Sequence, residues 1–522
     1  MAPKRRTGLA LALSAVACAP PEAEHARAQW LQQTLILDNQ VFLDRDPEQA
    51  GGKLAKMGER LYPYFRGTAA QYARDAMQPG SPGYWPSAYE SARTRDVALV
   101  GDPHPENIGT FARGDGRITV AFNDFDAATY GPYGFDLRRL ALGFWLAGEQ
   151  IRRDHAAAAA GAAGGTTEGT EGTDDTDDTE APEEVEHPLQ PAHRDAAARA
   201  VAAGYVAEIT VIADEPQLGL EITDQGEHGV VLDELMEGAL EDGQDQEKLL
   251  EYTTVEDGVR TMRYGDVVPP RTLTYGPHAQ QLFEDTVIAV PEAERALVAE
   301  LLERYPVTRA TALDPGALRI KGISRRLGAG VSSYPARRYY VLVEGPTDAI
   351  DDDVLLELKQ VFDAVPMPGL VRFPAQPFGT NGERVVTLQR ALQGPGDDDP
   401  WLGWASAGAD AYRVRWRTGY QRGVQVDRLA EELAAGDLEP EDFVVLAELA
   451  GRLLARSHGR APMRDGAPAA AAIVAAIGGD SEGLVEEVVA FVEHYAPRVV
   501  ADHRAYVELL HTHGPRLGYR RR

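Results

Sequence analysis

The sequence predicts an α+β protein in which a β-rich lobe is joined to a helical lobe. Runs of β-branched and aromatic residues gather in one part of the chain, at residues 317–327, 337–344, 354–361 and 384–392. Helical periodicity dominates before and after that part, and the sequence contains no solenoid repeat. Hydrophobic residues make up 44% of the 522-residue chain, which is enough for a sizeable core.

The first 18 residues have the order of an export signal. Residues 4–6 are basic, residues 8–17 form a short apolar run, and Cys18 is the single cysteine of the chain. This order is typical of a secretory signal, and the run is too short to span a membrane. A small residue before a lone cysteine resembles the bacterial lipoprotein signal, in which the cysteine is acylated. We expect residues 1–18 to direct export and Cys18 to carry a lipid anchor; a cytoplasmic location is the alternative.

The charge balance restricts the partners of the protein. The chain has 52 basic and 81 acidic residues, which gives a net charge of −29. A surface this acidic repels nucleic acid and anionic lipid unless it carries a local basic patch, and the basic clusters along the sequence lie at its two ends. We therefore expect no nucleic acid partner and no membrane contact except through the lipid anchor. A single cysteine also excludes an intrachain disulfide and a cysteine-based zinc site.

Composition and periodicity divide the rest of the chain into segments. Residues 19–29 are expected to form a linker, and residues 30–155 to form a part of the helical lobe with short strands at 97–100 and 118–122. The second strand follows a Gly-Asp-Gly turn at 114–116. The remaining segments are a disordered acidic insertion (156–191), a helical region (192–310), a β-rich region (311–404) and a closing helical lobe (405–522). Helices are expected in the closing lobe at 410–423, 440–458 and 483–512.

The most informative motif is Gly-Asp-Pro-His-Pro-Glu-Asn at residues 101–107. A short strand delivers the glycine, and the polar residues follow in a loop stiffened by proline. Four residues separate Asp102 from Asn107. This is the spacing of the kinase catalytic loop, in which the aspartate accepts the substrate proton and the asparagine holds magnesium. The spacing therefore favours Asp102 as a catalytic residue and Asn107 as a metal ligand.

A second motif, Phe-Asn-Asp-Phe-Asp at residues 122–126, ends the next strand. Phosphoryl transfer needs a carboxylate to hold the metal that bridges the phosphates, and Asp124 has the expected position after the hairpin. Asp126 is either a second metal ligand or a turn cap. Asp136, which opens a helix, can cap its own N-terminus and accept backbone donors from a neighbouring loop, so we expect a structural role for it.

Residues that could bind phosphate lie in the β-rich region. The segment Leu-Gly-Ala-Gly-Val at 327–331 lies between two strands, where Gly328 and Gly330 could present backbone N–H groups to phosphates. Lys359 on a following strand could neutralise the phosphate charge, although a strand lysine is by default a solvated charge. His104 is expected to brace its loop, because no second histidine lies near it to complete a metal site.

These motifs, in this order, resemble those of the aminoglycoside and choline kinase branch of the protein-kinase-like superfamily. From about residue 50 to 510 the chain more closely resembles the bacterial domain-of-unknown-function 2252 family. The motifs that carry this resemblance are Phe-Arg-Gly (65–67), Gly-Asp-Pro-His-Pro-Glu-Asn-Ile-Gly (101–109), Asn-Asp-Phe-Asp (123–126), Phe-Asp-Leu-Arg-Arg-Leu (135–140), Leu-Gly-Ala-Gly-Val (327–331), Leu-Glu-Leu-Lys (356–359), Arg-Val-Val-Thr-Leu-Gln-Arg (384–390), Trp-Leu-Gly-Trp (401–404) and Leu-Ala-Arg-Ser-His (454–458). Arg66 of the first motif is taken as structural support.

The resemblance implies a two-lobed, protein-kinase-like fold and a phosphotransferase that uses Mg²⁺ or Mn²⁺ with ATP and an unknown acceptor. The resemblance implies that the β-rich region at 311–404 is similar to the nucleotide lobe of kinases. Its glycine loop and Lys359 follow the catalytic loop here, whereas kinases place them first, so a circular permutation is expected. This arrangement predicts that Lys359 lies roughly 4–8 Å from Asp124 and that residues 440–458 pack beneath the catalytic loop. Gln360 departs from the family pattern, which has glutamate after the strand lysine, and the sequence does not reveal the acidic partner of Lys359.

Two other functions remain open. One is a catalytically inactive kinase-like lipoprotein that acts as a binding module. Export favours it, and so does a departure from the family pattern after the glycine loop, where another Ser-Gly step is usual and this chain has Val-Ser-Ser-Tyr-Pro at 331–335. The other is a metal-dependent phosphoesterase, because a Gly-Asp-x-His motif also begins that kind of site. A phosphoesterase of this type needs further Asn-His and Gly-His ligand motifs, and the sequence has no Asn-His pair.

Overall fold

A computed structural model describes residues 21–521, with gaps at 114–116, 165–188, 217–218, 312, 314–317, 348, 364–376 and 395–398. The expected export signal and Cys18 therefore lie outside the described residues. So do the Gly-Asp-Gly turn at 114–116 and most of the expected acidic insertion.

Helices form the body of the molecule and flank its sheet. In chain order, those in the described residues are α1 (Pro21–Asp38), α2 (Gln40–Arg45), α3 (Pro47–Glu59), α4 (Leu61–Gly67), α5 (Ala69–Met77), α6 (Tyr133–Gly164), α7 (Pro191–Asp214), α8 (Val230–Gln244), α9 (Glu247–Tyr252), α10 (Glu292–Arg304), α11 (Asn381–Gln393), α12 (Val426–Ala435), α13 (Pro440–Arg460), α14 (Ala469–Ile477) and α15 (Ser481–His513).

The described strands are β1 (Val97–Leu99), β2 (Ile108–Ala112), β3 (Ile118–Phe122), β4 (Thr129–Gly131), β5 (Thr253–Glu256), β6 (Val259–Met262), β7 (Gly265–Val268), β8 (Arg271–Tyr275), β9 (His278–Leu282), β10 (Asp285–Ala289), β11 (Ile320–Leu327), β12 (Arg338–Val343), β13 (Val354–Val361), β14 (Gly403–Ala407) and β15 (Asp410–Trp416). Seven of them form an antiparallel sheet in the order β14-β15-β13-β12-β11-β10-β7. The hairpin β2–β3 and the pair β1–β4 lie outside this sheet. The predicted α+β class is confirmed.

Side-chain alternation gives the large sheet two different faces. On one face, Tyr339, Leu358 and Val414 pack with α10 residues such as Leu301 in one apolar cluster. The other face carries the residues between them in sequence, and several of these are charged. Two of them, Lys359 of β13 and Arg413 of β15, reach Asp124 beyond the end of β3. The charged face of the sheet therefore meets the hairpin that follows the Asp102 loop.

The helical body is built around α7. Tyr205 and Ile209 of this helix are fully buried, and α7 packs against α6, α13 and α15. Among the described residues, α7 is also the one helix long and apolar enough to cross a membrane, although 56% of its apolar window is buried inside the protein. A core helix of a soluble protein has the same length and composition, so this helix is weak support for a membrane span.

The predicted linker at residues 19–29 is wrong from Pro21 onward, because α1 begins there. Arg27 on α1 donates hydrogen bonds to the carboxylates of Asp75 and Asp502, at 3.0 Å and 2.6 Å. These partners are themselves buried. Burying a charge is costly unless it is paired, so the pairing of Arg27 with these two buried carboxylates holds α1 against the rest of the protein. This part of the chain therefore belongs to the helical body.

Four other segment boundaries also need correction. Residues 156–164, expected to be disordered, continue α6. The helical region at 192–310 contains the short strands β5 to β10 between its helices. Residues 384–392, predicted as a strand, lie in α11, and residues 410–416, predicted as the start of a helix, form β15. The β-rich region therefore begins earlier and ends later than predicted.

Local interactions explain the error at α11. The Thr380 side chain accepts a hydrogen bond from the backbone amide of Glu383 and so caps the helix N-terminus. Val385, Leu388 and Leu392 then fall on one buried face with helical spacing. Short apolar runs rich in β-branched residues fit a strand or a buried helix equally well. Here the N-terminal cap at Thr380 stabilises the helix.

Candidate functional site

The loop that carries Asp102 is held from behind by a buried carboxylate. Asp136, at the start of α6, accepts hydrogen bonds from the backbone amides of Val100 and Gly101, at 2.7 Å and 3.1 Å. His458 of α13 lies with its Nε2 3.2 Å from the same carboxylate. The end of α13 therefore packs behind the loop, as predicted, and Asp136 ties α6, α13 and β1 together.

Asp102 faces the cleft and is held by an arginine. The Arg139 Nε donates a hydrogen bond of 2.9 Å to Asp102 Oδ1, while its Nη2 donates to the carbonyl of Phe65. The Arg139 guanidinium also lies over the Phe65 ring, 3.7 Å from the centroid. Burial raises the pKa of Asp102 above its ordinary value, against the opposing charges of Arg139 and Arg66. The result is a carboxylate in a fixed orientation that accepts a proton more readily than an exposed one.

The Asn107 side chain joins the two motif loops. Its Nδ2 donates to the carbonyls of Asp102 and Asp124, at 3.2 Å and 2.9 Å. Its Oδ1 accepts from the backbone amides of Asn123 and Asp124, at 3.1 Å and 2.6 Å. This network fixes which way the amide points. The oxygen that the metal-ligand hypothesis requires is occupied by two N–H donors in this structure.

Asp124, Asp126 and Lys359 form one charged cluster. The Lys359 Nζ lies 3.0 Å from Asp124 Oδ2 and 2.7 Å from Asp126 Oδ2. The predicted approach of Lys359 to Asp124 is thus confirmed, at a shorter distance than expected. It also identifies the acidic partners of Lys359, which the sequence did not reveal.

The two carboxyl groups of this cluster have pKa values shifted in opposite directions. Burial raises the pKa of Asp124, but the charges of Lys359 and Arg413 outweigh it, so the net pKa is far below its ordinary value. Burial, and next the charge of Asp124, raise the pKa of Asp126. The pKa values of two carboxyl groups that share one ammonium group move apart in this way, because the ionised form of one disfavours ionisation of the other.

A divalent cation fits this cluster. Within the described residues no group of three or more His, Cys, Asp or Glu side chains is arranged to hold a metal ion. Magnesium, however, is commonly held by one or two carboxylates together with substrate phosphates. The buried Oδ1 of Asp126 has no hydrogen-bond partner in the described part of the chain, and both carboxylates already converge on one positive charge. Asp124 and Asp126 are therefore the residues that would hold a metal.

His104 and Arg66 lie beside the loop in supporting positions. His104 is buried, and burial lowers its pKa well below the ordinary value, with Arg66 and Arg139 acting in the same direction. The ring is therefore neutral at pH 7. Arg66 pairs with Glu106, whose other oxygen accepts from the amide of Val426. These contacts connect the loop to α4 and to the first residue of α12.

The glycine loop between β11 and β12 faces the same cleft. Gly328 and Gly330 have φ angles of +88° and +80°, which favour glycine. Within the described residues, the backbone amides of Ala329, Gly330 and Ser332 donate no hydrogen bond to the protein. Free amides this close together in a loop form a concave site for an anion.

Two cavities meet at Asp102 and Asp124. One, of about 520 Å³, is lined by the glycine loop, Lys359 and a set of basic residues. The other, of about 930 Å³, combines apolar walls such as Phe42 and Phe362 with acidic side chains. The basic side chains of the first cavity are Lys56, Arg60, Arg66, Arg326, Arg338, Lys359, Arg413, Arg415, Arg417 and Arg422. The fold therefore assembles a basic patch that no contiguous stretch of the sequence contains.

The sequence interpretation missed the arginines of β15. Arg413 and Arg415 of β15 and Arg417, one residue past its end, alternate with other residues and line the basic cavity together. Their period-two spacing was the available signal. The prediction of a helix at 410–423 hides this signal, because in a helix Arg415 would point away from Arg413 and Arg417, which are four residues apart and would share a face.

We expect Gly101→Ala to destabilise the protein more than an ordinary glycine substitution. Gly101 has φ +87°, and an added Cβ would lie 2.0 Å from the carbonyl oxygen of Ala127. Gly258, with φ +77° and no atom within 4 Å of its added Cβ, is the matched control. Gly258→Ala should lower the free energy of unfolding by about 1–2 kcal/mol, and Gly101→Ala by about 3 kcal/mol or more, measured by denaturant titration. Equal losses would show that the loop moves freely to accept a side chain.

Comparison with known proteins identifies the family. No curated protein and no solved structure matches the chain. The bacterial family described as "uncharacterized protein conserved in bacteria (DUF2252)" matches residues 45–167 and 185–509. The matched residues include the Asp102 loop, the Asp124 cluster, the glycine loop, Lys359 and the arginines of β15. The chain belongs to the DUF2252 family.

Proposed function

We propose that the protein is a kinase-like phosphotransferase that uses a metal–nucleoside triphosphate and an acceptor still to be identified. The observation that carries this proposal is the contact of Lys359 with Asp124 and Asp126 at the edge of a cavity that Asp102 also lines. A phosphate-binding lysine, metal-binding carboxylates and a candidate proton acceptor are the parts that phosphoryl transfer requires in one cleft.

The order of elements around the cleft supports a kinase-like relation. A strand, a glycine loop, a second strand and a third strand with a lysine follow one another in β11, β12 and β13, which are neighbours in the sheet. Protein kinases have a glycine-rich loop over the phosphates and a lysine on their third strand. In this chain these elements follow the loop with Asp102, so the proposal includes a circular permutation of the kinase order.

Each residue has a distinct role in the proposed reaction. Lys359 and the free amides of the glycine loop bind the phosphates, and Asp124 and Asp126 would hold the metal. A bound divalent ion would neutralise phosphate charge. Asp102 accepts the proton of the attacking hydroxyl group, because its raised pKa and its bond to Arg139 give it basicity and a fixed direction. Asn107 keeps the Asp102 and Asp124 loops together.

A catalytically inactive kinase-like binding module is the second candidate. The engagement of Asn107 Oδ1 by two backbone amides favours it, because that oxygen would have to leave both donors to reach a metal. The metal-dependent phosphoesterase is the least supported candidate, since the chain lacks the further histidine motifs that such a site needs.

Export through residues 1–18 and anchoring at Cys18 remain part of the proposal.

Calorimetric titration of the purified chain with ATP, with and without Mg²⁺, tests the proposed function. We expect ATP to bind more tightly with Mg²⁺ and to be consumed slowly, with water or the chain itself as acceptor. Binding without any consumption of ATP would favour the binding module. No binding of any nucleoside triphosphate with Mg²⁺ or Mn²⁺ would overturn the phosphotransferase and leave the binding module.

A further inference from the structure

Three cations stand in a row across the charged face of the sheet. Lys359 of β13 is directly opposite Arg338 of β12 on one side and Arg413 of β15 on the other. Each of the three side chains is buried. Like charges directly opposite each other on neighbouring strands destabilise a sheet, and burial makes the repulsion stronger. Such a row needs compensating negative charge.

The protein supplies only part of that compensation. Glu357, fully buried on β13, bonds Arg338 at 2.9 Å and Arg415 at 2.8 Å, and Arg413 lies 3.8 Å away from it. One carboxylate therefore serves three guanidinium groups. Asp124, the other acid near Arg413, is 4.0 Å away and already paired with Lys359.

Arg413 and Arg417, which lies just after β15, have hydrogen-bond donors without an acceptor among the described residues. Arg413 is 1% exposed, and its Nε and Nη1 atoms have no hydrogen-bond acceptor in the described part of the chain. The buried Nε of Arg417 also lacks one. Buried charged groups are normally paired. Both side chains line the basic cavity next to the glycine loop, so an anionic ligand in that cavity would supply negative charge that the surrounding residues of the described chain do not provide.

We propose that this cavity recognises a linear chain of at least three phosphates, and that recognition depends on the phosphates and not on a nucleobase. This inference deepens the proposed function, on which it rests for the role of Lys359. The arginines extend the phosphate site beyond Lys359 along β15, so one end of the chain lies at the glycine loop and the other near Arg417. Guanidinium groups suit this ligand because they bind phosphate oxygens in pairs.

The shape and charge of the cavity distinguish this ligand from others. Its ten basic side chains face five lining acids, Asp102, Glu106, Asp124, Glu284 and Asp427, in a protein whose net charge is −29. A volume of about 520 Å³ suits a small molecule and not a nucleic acid strand. A nucleoside triphosphate and inorganic polyphosphate share the required chemistry, and both must be tested.

The experiment compares inorganic tripolyphosphate, ATP, GTP and adenosine by calorimetry, without metal and then with Mg²⁺. We expect tripolyphosphate to bind and to compete with ATP, ATP and GTP to agree within a few-fold, and adenosine not to bind. Arg413→Gln should weaken tripolyphosphate binding on the order of 10- to 100-fold, the usual effect of losing hydrogen bonds to a charged group. Raising the salt concentration should weaken binding of the wild type.

Arg295→Gln is the matched control, because Arg295 is 57% exposed and pairs with Glu292 on the surface. This variant should bind tripolyphosphate as tightly as the wild type does. If Arg413→Gln does not fold, Arg417→Gln supplies the same comparison at a less buried position. Selective binding of ATP without competition by tripolyphosphate would overturn the inference and leave the proposed function standing. Tripolyphosphate binding without any phosphate transfer would support the inference and count against the proposed function.

Discussion

Asp124→Asn should remove most of the metal dependence of nucleotide binding. The pKa of Asp124 is far below its ordinary value because Lys359 and Arg413 outweigh the effect of burial, so the group is ionised across the physiological range. The substitution takes one full negative charge from a pair of carboxylates, and divalent ions are held mainly by anionic oxygen. We expect the gain in ATP affinity on adding Mg²⁺ to fall by about 10-fold or more.

The same substitution should act differently when no metal is present. Lys359 keeps its contact with Asp126 at 2.7 Å, and one negative charge is removed from the neighbourhood of the phosphates. Metal-free binding of ATP should therefore be unchanged or tighter. Calorimetric titrations with and without Mg²⁺ measure both effects, and Asp437→Asn, at an exposed position, is the control. An unchanged response to Mg²⁺ would show that Asp124 serves Lys359 alone and would exclude it as a metal ligand.

The sequence predicted the Asp102 and Asp124 loops as one site because their association is local. The hairpin β2–β3 connects the two motifs, and a hairpin brings its two ends together. Lys359 is different, because 235 positions separate it from Asp124. Its place in the site followed from the family resemblance, and no periodicity in the sequence could have supplied it.

The basic cavity could not be predicted from the sequence for a related reason. Its cations come from the consecutive helices α3 and α4 and their junction, from four strands of the large sheet and from residues just after β15. The arginines at 413, 415 and 417 are close together in the sequence, but only folding brings them beside the cations of the other segments. In β15, Arg413 and Arg415 alternate with Tyr412 and Val414. This alternation normally indicates a strand with one face in water. Here Arg413 is buried, because the charged face is covered by the loops that carry the Asp102 and Asp124 motifs.

Asp102→Asn should slow turnover while leaving nucleotide binding nearly unchanged. Losing a positioned proton acceptor typically costs about 10²- to 10⁴-fold in rate, and Asp102 is assigned to the acceptor and not to the nucleotide. The measurement is ATP consumption beside calorimetric binding on the same protein. The exposed Asp437→Asn should retain the rate of wild type.

The pH dependence of the rate gives a second, independent test of Asp102. The ionised carboxylate is the form that accepts a proton, and burial raises its pKa above the ordinary value. The rate of wild type should therefore rise as the pH increases through this raised pKa and level off above it. In Asp102→Asn this rise of the rate with pH, the acidic limb of the profile, should disappear, because an amide does not titrate in this range. Persistence of the limb would assign it to another group, such as Asp126, whose pKa is also raised.

The effect on stability separates a catalytic Asp102 from one that only anchors Arg139. Asparagine keeps an oxygen for the Arg139 Nε but not the charge, and the Arg139 side chain is 1% exposed. We expect the free energy of unfolding to fall by about 1–3 kcal/mol, the range for weakening a hydrogen bond to a buried charged group. A turnover rate within about threefold of wild type, together with this loss of stability, would leave Asp102 as an anchor. A rate reduced by about 10²- to 10⁴-fold in a variant that binds ATP normally would identify Asp102 as the proton acceptor.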